Sequence, residues 1–115
     1  MGGGSGKTRT PHLILPVIIQ PEAELDLAVA QIWYETKRLG LGAEFRAAVN
    51  HAVGLIASHP SIFPVVLGGV RRVLLVRFPY GLFYIPEKVK VVVLACIHAK
   101  RDTDFIRKTV KGGRA

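Results

Sequence analysis

Residues 70–101 constrain the fold of this chain more than any other part of the sequence. They contain three short runs rich in β-branched and aromatic residues, separated by turns with proline, glycine or charged residues. The predicted strands are residues 70–78, 82–85 and 89–98, and the predicted turns are residues 79–81 and 86–88. Because such short links join antiparallel neighbours, the stretch predicts a three-stranded antiparallel meander.

The sequence upstream of the meander predicts a strand followed by two helices. Residues 13–20 are apolar and β-branched, and Pro16 cannot donate to a ladder, so we expect an edge strand. Over residues 21–37 the apolar residues recur at helical spacing: Leu25, Ala28, Val29, Ile32 and Trp33. A second helix is predicted over residues 43–58, with one apolar face: Phe45, Ala48, Val49, Ala52, Leu55 and Ile56. The short link between the helices predicts an antiparallel hairpin.

The remaining segments complete a single α+β domain. Residues 61–69 are interpreted as a connector that ends in a glycine pair, and Asp102 is expected to cap a short C-terminal helix that runs to about Val110. The predicted domain covers residues 12–110. The Gly-rich residues 1–11 are interpreted as a flexible leader or tag, and residues 111–115 as a frayed tail.

Composition limits the function classes. The formal net charge of +8 favours polyanions or acidic proteins as partners. The single cysteine, Cys96, excludes an internal disulfide and fits a reducing compartment. No apolar run approaches the roughly 20 residues that a membrane helix needs, and no secretory signal is recognisable. We therefore predict a cytoplasmic protein without a membrane span.

The predicted meander is apolar on both faces. The middle of residues 70–78 is apolar on either side, and the last strand is apolar without alternation, as in a strand buried on both faces. One helical hairpin covers only one face. The second face is then covered either by the C-terminal helix, through Phe105 and Ile106, or by another polypeptide.

Basic residues around the meander are the main candidate functional residues. In one strand over residues 70–78, Arg71 and Arg77 share a face and lie roughly 20 Å apart, which suits an extended polyanion. A solvated basic rim is the alternative interpretation. The candidate target- or nucleic-acid-binding residues are Arg71, Arg72, Arg77, Tyr84, Lys100, Arg101 and Arg107. Tyr84, like Tyr80, is proposed to stack on a base, with a half-buried place in the sheet as the alternative.

His98 is the candidate for acid–base chemistry. It follows a buried strand and precedes Lys100 and Arg101, whose charges would stabilise a developing anion. The alternative is a histidine at the strand end, held by a backbone hydrogen bond. Cys96 and His98 lack further ligands at a metal-binding spacing, so no metal and no cofactor are predicted.

Several segments resemble the RelE/ParE toxins, also called plasmid stabilisation proteins. They are PEAELDLAVAQIWYE in the first helix, GLGAEFRAAV in the second, HPSIFPVV after it, and GGVRRVLLVRFPYGLFY and VVVLACIHAKRD in the meander. The resemblance covers residues 13–105. It implies the order strand, helical hairpin, meander, and a type II toxin that a cognate antitoxin holds inactive, with homo-oligomers possible through that assembly.

The resemblance leaves the target open. RelE-like members cut messenger RNA in the ribosome without a metal, and the matching positions here are Arg71, Arg77 and His98 as catalytic residues. ParE-like members inhibit DNA gyrase and growth and lack that catalytic set. RelE-like nucleases tend to place a catalytic tyrosine in the C-terminal segment and a lysine-rich stretch before the meander, whereas here no tyrosine follows Tyr84 and residues 61–69 contain no lysine. The FPYGLFY and HAKRD segments look closer to the ParE side. A non-toxic binding module with the same fold is a further alternative.

Overall fold

The structure is a computed structural model that describes residues 13–110; the predicted leader and tail lie outside them. The elements are, in chain order, β1 (Val17–Ile19), α1 (Pro21–Lys37), α2 (Leu41–Ser58), β2 (Val65–Leu67), β3 (Val70–Leu74), β4 (Tyr80–Pro86), β5 (Val91–His98), a 3-10 turn (Ala99–Arg101) and α3 (Asp102–Val110). The predicted α+β class is confirmed. No helix in the described part of the chain has the length and apolar character to cross a membrane.

The sheet has five strands in the order β1-β5-β4-β3-β2. Strands β3, β4 and β5 form the predicted antiparallel meander. Strand β1 lies at one edge, parallel to β5, and starts directly after Pro16, whose carbonyl accepts a hydrogen bond from the Val91 N–H at 2.9 Å. The predicted N-terminal edge strand is therefore confirmed.

The connector prediction for residues 61–69 was incomplete, because this segment contains β2 at the other sheet edge. Val65 pairs with Arg71, and Leu67 pairs with Val70. Gly68 has a φ of 51°, a conformation that favours glycine in a tight turn. The strand spans only Val65–Leu67. Pro64 lies immediately before it, and a proline in so short an apolar run argues against a strand, so the sequence pattern did not predict one.

The first meander strand was predicted too long. It ends at Leu74, and Arg77, in the loop before β4, has a φ of 73°. Leu75 still donates to the Tyr80 carbonyl at 2.9 Å, but it and Phe78 lie outside the strand and are buried in the core beneath the helices. Tertiary packing therefore overrides their strand propensity. Arg71 and Arg77 therefore do not share one strand face.

The helical hairpin is held together at its turn. The carboxylate of Glu35 accepts the N–H groups of Gly40 and Gly42, both at 2.9 Å, and these bonds lower the pKa of Glu35. At Gly42 a Cβ atom would lie 2.8 Å from the Gln31 carbonyl oxygen, so only glycine permits this approach of α1 and α2. Helix α2 begins at Leu41, two residues before the predicted start.

The hairpin packs on one face of the sheet, but α1 uses a different side from the apolar residues that predicted it. Its buried residues are Ala23, Leu27, Ala30 and Tyr34. The large side chains of the predicted stripe are exposed: Leu25 by 64%, Val29 by 60%, Ile32 by 66% and Trp33 by 51%. The small alanines let the helix axis approach the sheet closely, which explains why that side is packed. Most of the predicted apolar face of α2 is buried as expected.

Helix α3 packs on the second face of the sheet. Phe105 lies 4.6 Å from Phe83, centroid to centroid, within a buried cluster: Val70, Phe83, Leu94, Ala95, Ile97 and Phe105. Asp102, predicted to be a cap, begins the helix and pairs through its carboxylate with Arg72 at 2.7 Å. Of the two alternatives for this face, the C-terminal helix is confirmed, and the argument that an uncovered sheet face requires a second polypeptide fails.

Candidate functional site

A groove of about 530 Å³ lies between α1 and the segments where β4 begins and β5 ends. This volume is within the range of ligand-binding pockets. Its lining residues are Val29, Ala30, Trp33, Tyr34, Pro79, Tyr80, His98, Lys100 and Arg101. Aromatic and apolar side chains therefore meet a histidine and two cations at one place. We call this the α1–β5 groove.

The position of His98 in the groove is fixed by the sheet and by the turn after it. His98 is the last residue of β5 and lies opposite Tyr80 of β4, with ring centroids 5.1 Å apart and the planes nearly perpendicular. Its Nδ1 accepts the N–H of Lys100 at 3.0 Å. A neutral imidazole bonded in this way carries its proton on Nε2. The predicted backbone hydrogen bond of a strand-end histidine is present, and the same bond orients the ring.

Two tyrosines form the aromatic floor of the groove. The rings of Tyr34 and Tyr80 lie 6.0 Å apart, and each ring lies 5.3 Å from that of Phe45. Burial is the main cause that raises the pKa of both tyrosines. Their hydroxyls therefore stay protonated well above neutral pH.

Lys100 and Arg101 supply the positive charge. Both are exposed in the 3-10 turn, which is fixed where the Ala99 N–H donates to the Pro79 carbonyl at 2.8 Å. Across residues 13–110 neither cation forms an ion pair. Their charges are therefore available to an acidic group of a partner.

The three predicted catalytic residues are not brought together. Arg71 donates to the Phe63 carbonyl at 2.6 Å and lies opposite Tyr84, four residues along β4 from the Tyr80–His98 pair. That separation is roughly 13 Å along the strand. Arg77 pairs instead with Glu44 of α2 at 2.8 Å. Only His98 of this predicted set lies in the groove.

Three other predicted binding residues have structural surroundings outside the groove. Tyr84 is fully buried, and its hydroxyl donates to the Pro60 carbonyl at 2.8 Å, so its ring has no face for a base and the stacking prediction was wrong. Burial raises the pKa of Tyr84 to about 12. Arg72 joins β3 to α3 through Asp102, and Arg107 pairs with Asp104 at 3.1 Å on the exposed side of α3.

Sequence reasoning missed the α1 and loop side of the groove. Val29, Trp33, Tyr34 and Pro79 line it, yet none was a candidate. A signal existed, because α1 carries two apolar sides and only one of them can face the sheet. The side with the larger apolar residues sets the helical period, and nothing in the sequence marks that side as solvent-exposed.

The remaining groups that could carry chemistry are metal-ligating side chains and the thiol of Cys96. Within residues 13–110 no group of three or more His, Cys, Asp or Glu side chains is placed to hold a metal ion. Cys96 is buried, and burial raises the pKa of its thiol to about 12, so it is not a reactive thiolate.

No family model matches the sequence, and no curated protein matches it either. Among solved structures, a chain of the chromosomal ParDE toxin–antitoxin system from P. aeruginosa is similar, with a TM-score of 0.64 and 16% sequence identity. The match covers 74% of this chain and 96% of that chain. The two chains share a fold. This similarity agrees with the fold that the RelE/ParE resemblance implies.

Proposed function

We propose that this chain is the toxin of a type II toxin–antitoxin module, that it inhibits DNA gyrase as ParE-like toxins do, and that a cognate antitoxin neutralises it. The α1–β5 groove is the observation that carries the proposal. In a fold shared with a ParDE chain, it places the exposed ring of Trp33 beside two cations without ion-pair partners in the described chain. A toxin that inhibits DNA gyrase acts in the cytoplasm, and growth arrest is the expected effect of the free toxin.

The charge of the chain supports an acidic protein partner. The net charge is +8, and Lys100 and Arg101 concentrate part of it at the groove. Exposed aromatic residues and arginine are the side chains that most often dominate protein–protein binding energy. A partner that inserts an apolar side chain beside Trp33 and a carboxylate beside Arg101 would satisfy both features.

The separation of the catalytic candidates favours binding over catalysis. Acid–base cleavage of RNA requires its groups within hydrogen-bond reach of the same reacting atoms. Arg77 is engaged by Glu44, and Arg71 lies on another strand toward its far end. A gyrase-directed toxin needs no such cluster.

A ribosome-dependent endoribonuclease is the second candidate. His98, Tyr80 and the two cations form a small set that resembles a metal-independent acid–base site. In that case His98 would act as the general acid or base through Nε2, and Arg101 would stabilise the charge on phosphate.

The test is induced expression of the chain in bacteria that lack the cognate antitoxin. Growth, plasmid supercoiling and messenger RNA integrity are measured after induction. The proposal predicts growth arrest, relaxed plasmids and intact RNA. Growth arrest with fragmented RNA and normal supercoiling would support the nuclease instead, and normal growth would support a non-toxic binding module.

Two double variants that each remove two positive charges test whether toxicity depends on the groove. Lys100→Ala with Arg101→Ala removes both groove cations and should abolish growth arrest. Lys88→Ala with Lys90→Ala removes two charges from the turn between β4 and β5, at the opposite end of these strands, and should remain toxic. If both variants lose toxicity equally, total charge rather than the groove is responsible.

A further inference from the structure

The exposed side of α1 is acidic at one end, apolar in the middle and basic at the other end. Three of the eight acidic residues of the chain lie in the first two turns of α1: Glu22, Glu24, which pairs with Arg46, and Asp26, whose carboxylate accepts the Cys96 N–H. Glu22, in the first turn, is exposed and has no ion-pair partner in residues 13–110. Lys37, in the last turn, lies over the Trp33 ring at 4.7 Å.

The apolar middle is a continuous stripe on the surface. Leu25, Val29, Ile32 and Trp33 follow the spacing of residues that neighbour each other on one side of a helix. Each is at least half exposed. Isolated exposed apolar residues are ordinary, but a contiguous row of four large ones marks a contact surface. We call it the α1 stripe.

The opposite charges at the two ends of α1 suit a second copy of this chain as the partner of the stripe. Opposite charges that meet across an interface fix its register. A second copy of this chain offers its own Lys37 to Glu22, with Lys100 and Arg101 lining the same groove as Trp33. In an antiparallel pair, the acidic end of each α1 faces the basic end of the other.

The positions of the residues suit a two-fold axis at Val29. Antiparallel pairing about this point sets Leu25 against the partner's Trp33, because both lie four residues from Val29. The same pairing sets Glu22 against the turn that holds the partner's Thr36 and Lys37. Every contact except that of Val29 with its own copy then occurs twice, as a two-fold interface requires.

We infer that the free chain forms a two-fold homodimer through the α1 stripe. One helix side buries less than the ~800 Å² per partner of a standard stable interface, so the dimer is weak and forms in the micromolar range or above. The inference does not rest on the proposed function, because it concerns the mass of the free chain and not its toxicity.

Sedimentation velocity over a concentration series tests the dimer. The mass should rise from 12.6 kDa towards twice that value and stop there. Val29→Glu places two like charges at the axis and should raise the dimer dissociation constant by roughly tenfold or more. Val89→Glu introduces the same charge at a similarly exposed valine outside the stripe and should leave dimerisation intact. A monomer at all concentrations, open-ended aggregation, or equal loss in both variants would overturn the inference.

A charge exchange tests the antiparallel orientation. Glu22→Lys and Lys37→Glu should each weaken the dimer, and the double variant should restore it. A parallel or nonspecific apolar contact would show no such restoration.

A crosslink tests the position of the axis. Val29→Cys should form a disulfide-linked dimer under mild oxidation, because its Cβ atom meets its own copy at the axis. Leu25→Cys should not, since the two copies would lie roughly 12 Å apart along the helices. Crosslinking of Leu25→Cys but not Val29→Cys would contradict the proposed register.

Discussion

Two apolar surfaces of this molecule differ in whether another part of the chain covers them. The second face of the sheet is covered by α3, so Phe83 is fully buried and Phe105 is 8% exposed. The outer side of α1 carries side chains that are just as apolar, yet Ile32 is 66% exposed. Periodicity in a sequence therefore identifies an apolar surface but does not tell which neighbour, if any, covers it.

The largest effect is expected for Phe83→Ala on the covered face. The ring is fully buried between the strands and Phe105, so its removal leaves a cavity and should cost about 3–5 kcal/mol of the free energy of unfolding. Urea denaturation followed by circular dichroism measures this cost. A loss below 1 kcal/mol would mean that α3 does not cover this face in solution.

Phe105→Ala should have the next largest effect, about 2–3 kcal/mol. The cost is smaller because Phe105 lies nearer the surface, where α3 can shift to fill the space. Hydrogen exchange should also reveal faster exchange in α3 than in β5, since α3 loses its main apolar contact. Uniform acceleration across the whole sheet would contradict this separation.

The ion pair between Arg72 and Asp102 should contribute less than either ring. Its side chains are 27% and 16% exposed, and removal of one partner leaves the other charge partly buried, so each single alanine variant should cost about 1–2 kcal/mol. A double-mutant cycle should give a clear coupling energy. The control cycle on Arg107 and Asp104, whose side chains are 60% and 65% exposed, should give almost none.

The smallest effect is expected on the outer side of α1. Ile32→Gln replaces an exposed apolar side chain by a polar helix former of similar length, so the free energy of unfolding should change by less than about 0.5 kcal/mol. The measurement is the same denaturation series, performed below the concentration at which the chain dimerises. A cost comparable to that of Phe105→Ala would show that α1 packs with its other side inward.

Much of the fold was predictable because local signals and tertiary contacts agree. Pro21 and the acidic first turn set the start of α1, and Pro16 set the start of the edge strand. The errors arose where packing overrides local preference. Leu75 and Phe78 leave the strand to enter the core, and β2 forms because the glycine turn at Gly68 brings Val65 beside Arg71.

The candidate site was predictable only in part. His98, Lys100 and Arg101 are adjacent in sequence and remain together at the end of β5. Trp33 and Tyr34 reach the groove from a helix distant in sequence, through a packing orientation that periodicity does not determine. Tyr84 was misassigned because its burial depends on the hairpin and on the Pro60 carbonyl, which are far from it along the chain.

Hydroxyl-radical footprinting of the dilute free chain tests most directly which apolar surface is covered. The account predicts strong labelling of Trp33, Ile32 and Leu25, with Phe83 and Phe105 protected. Strong labelling of Phe83 and Phe105 with protection of Trp33 would contradict it, because the sheet would then be open and the outer side of α1 packed.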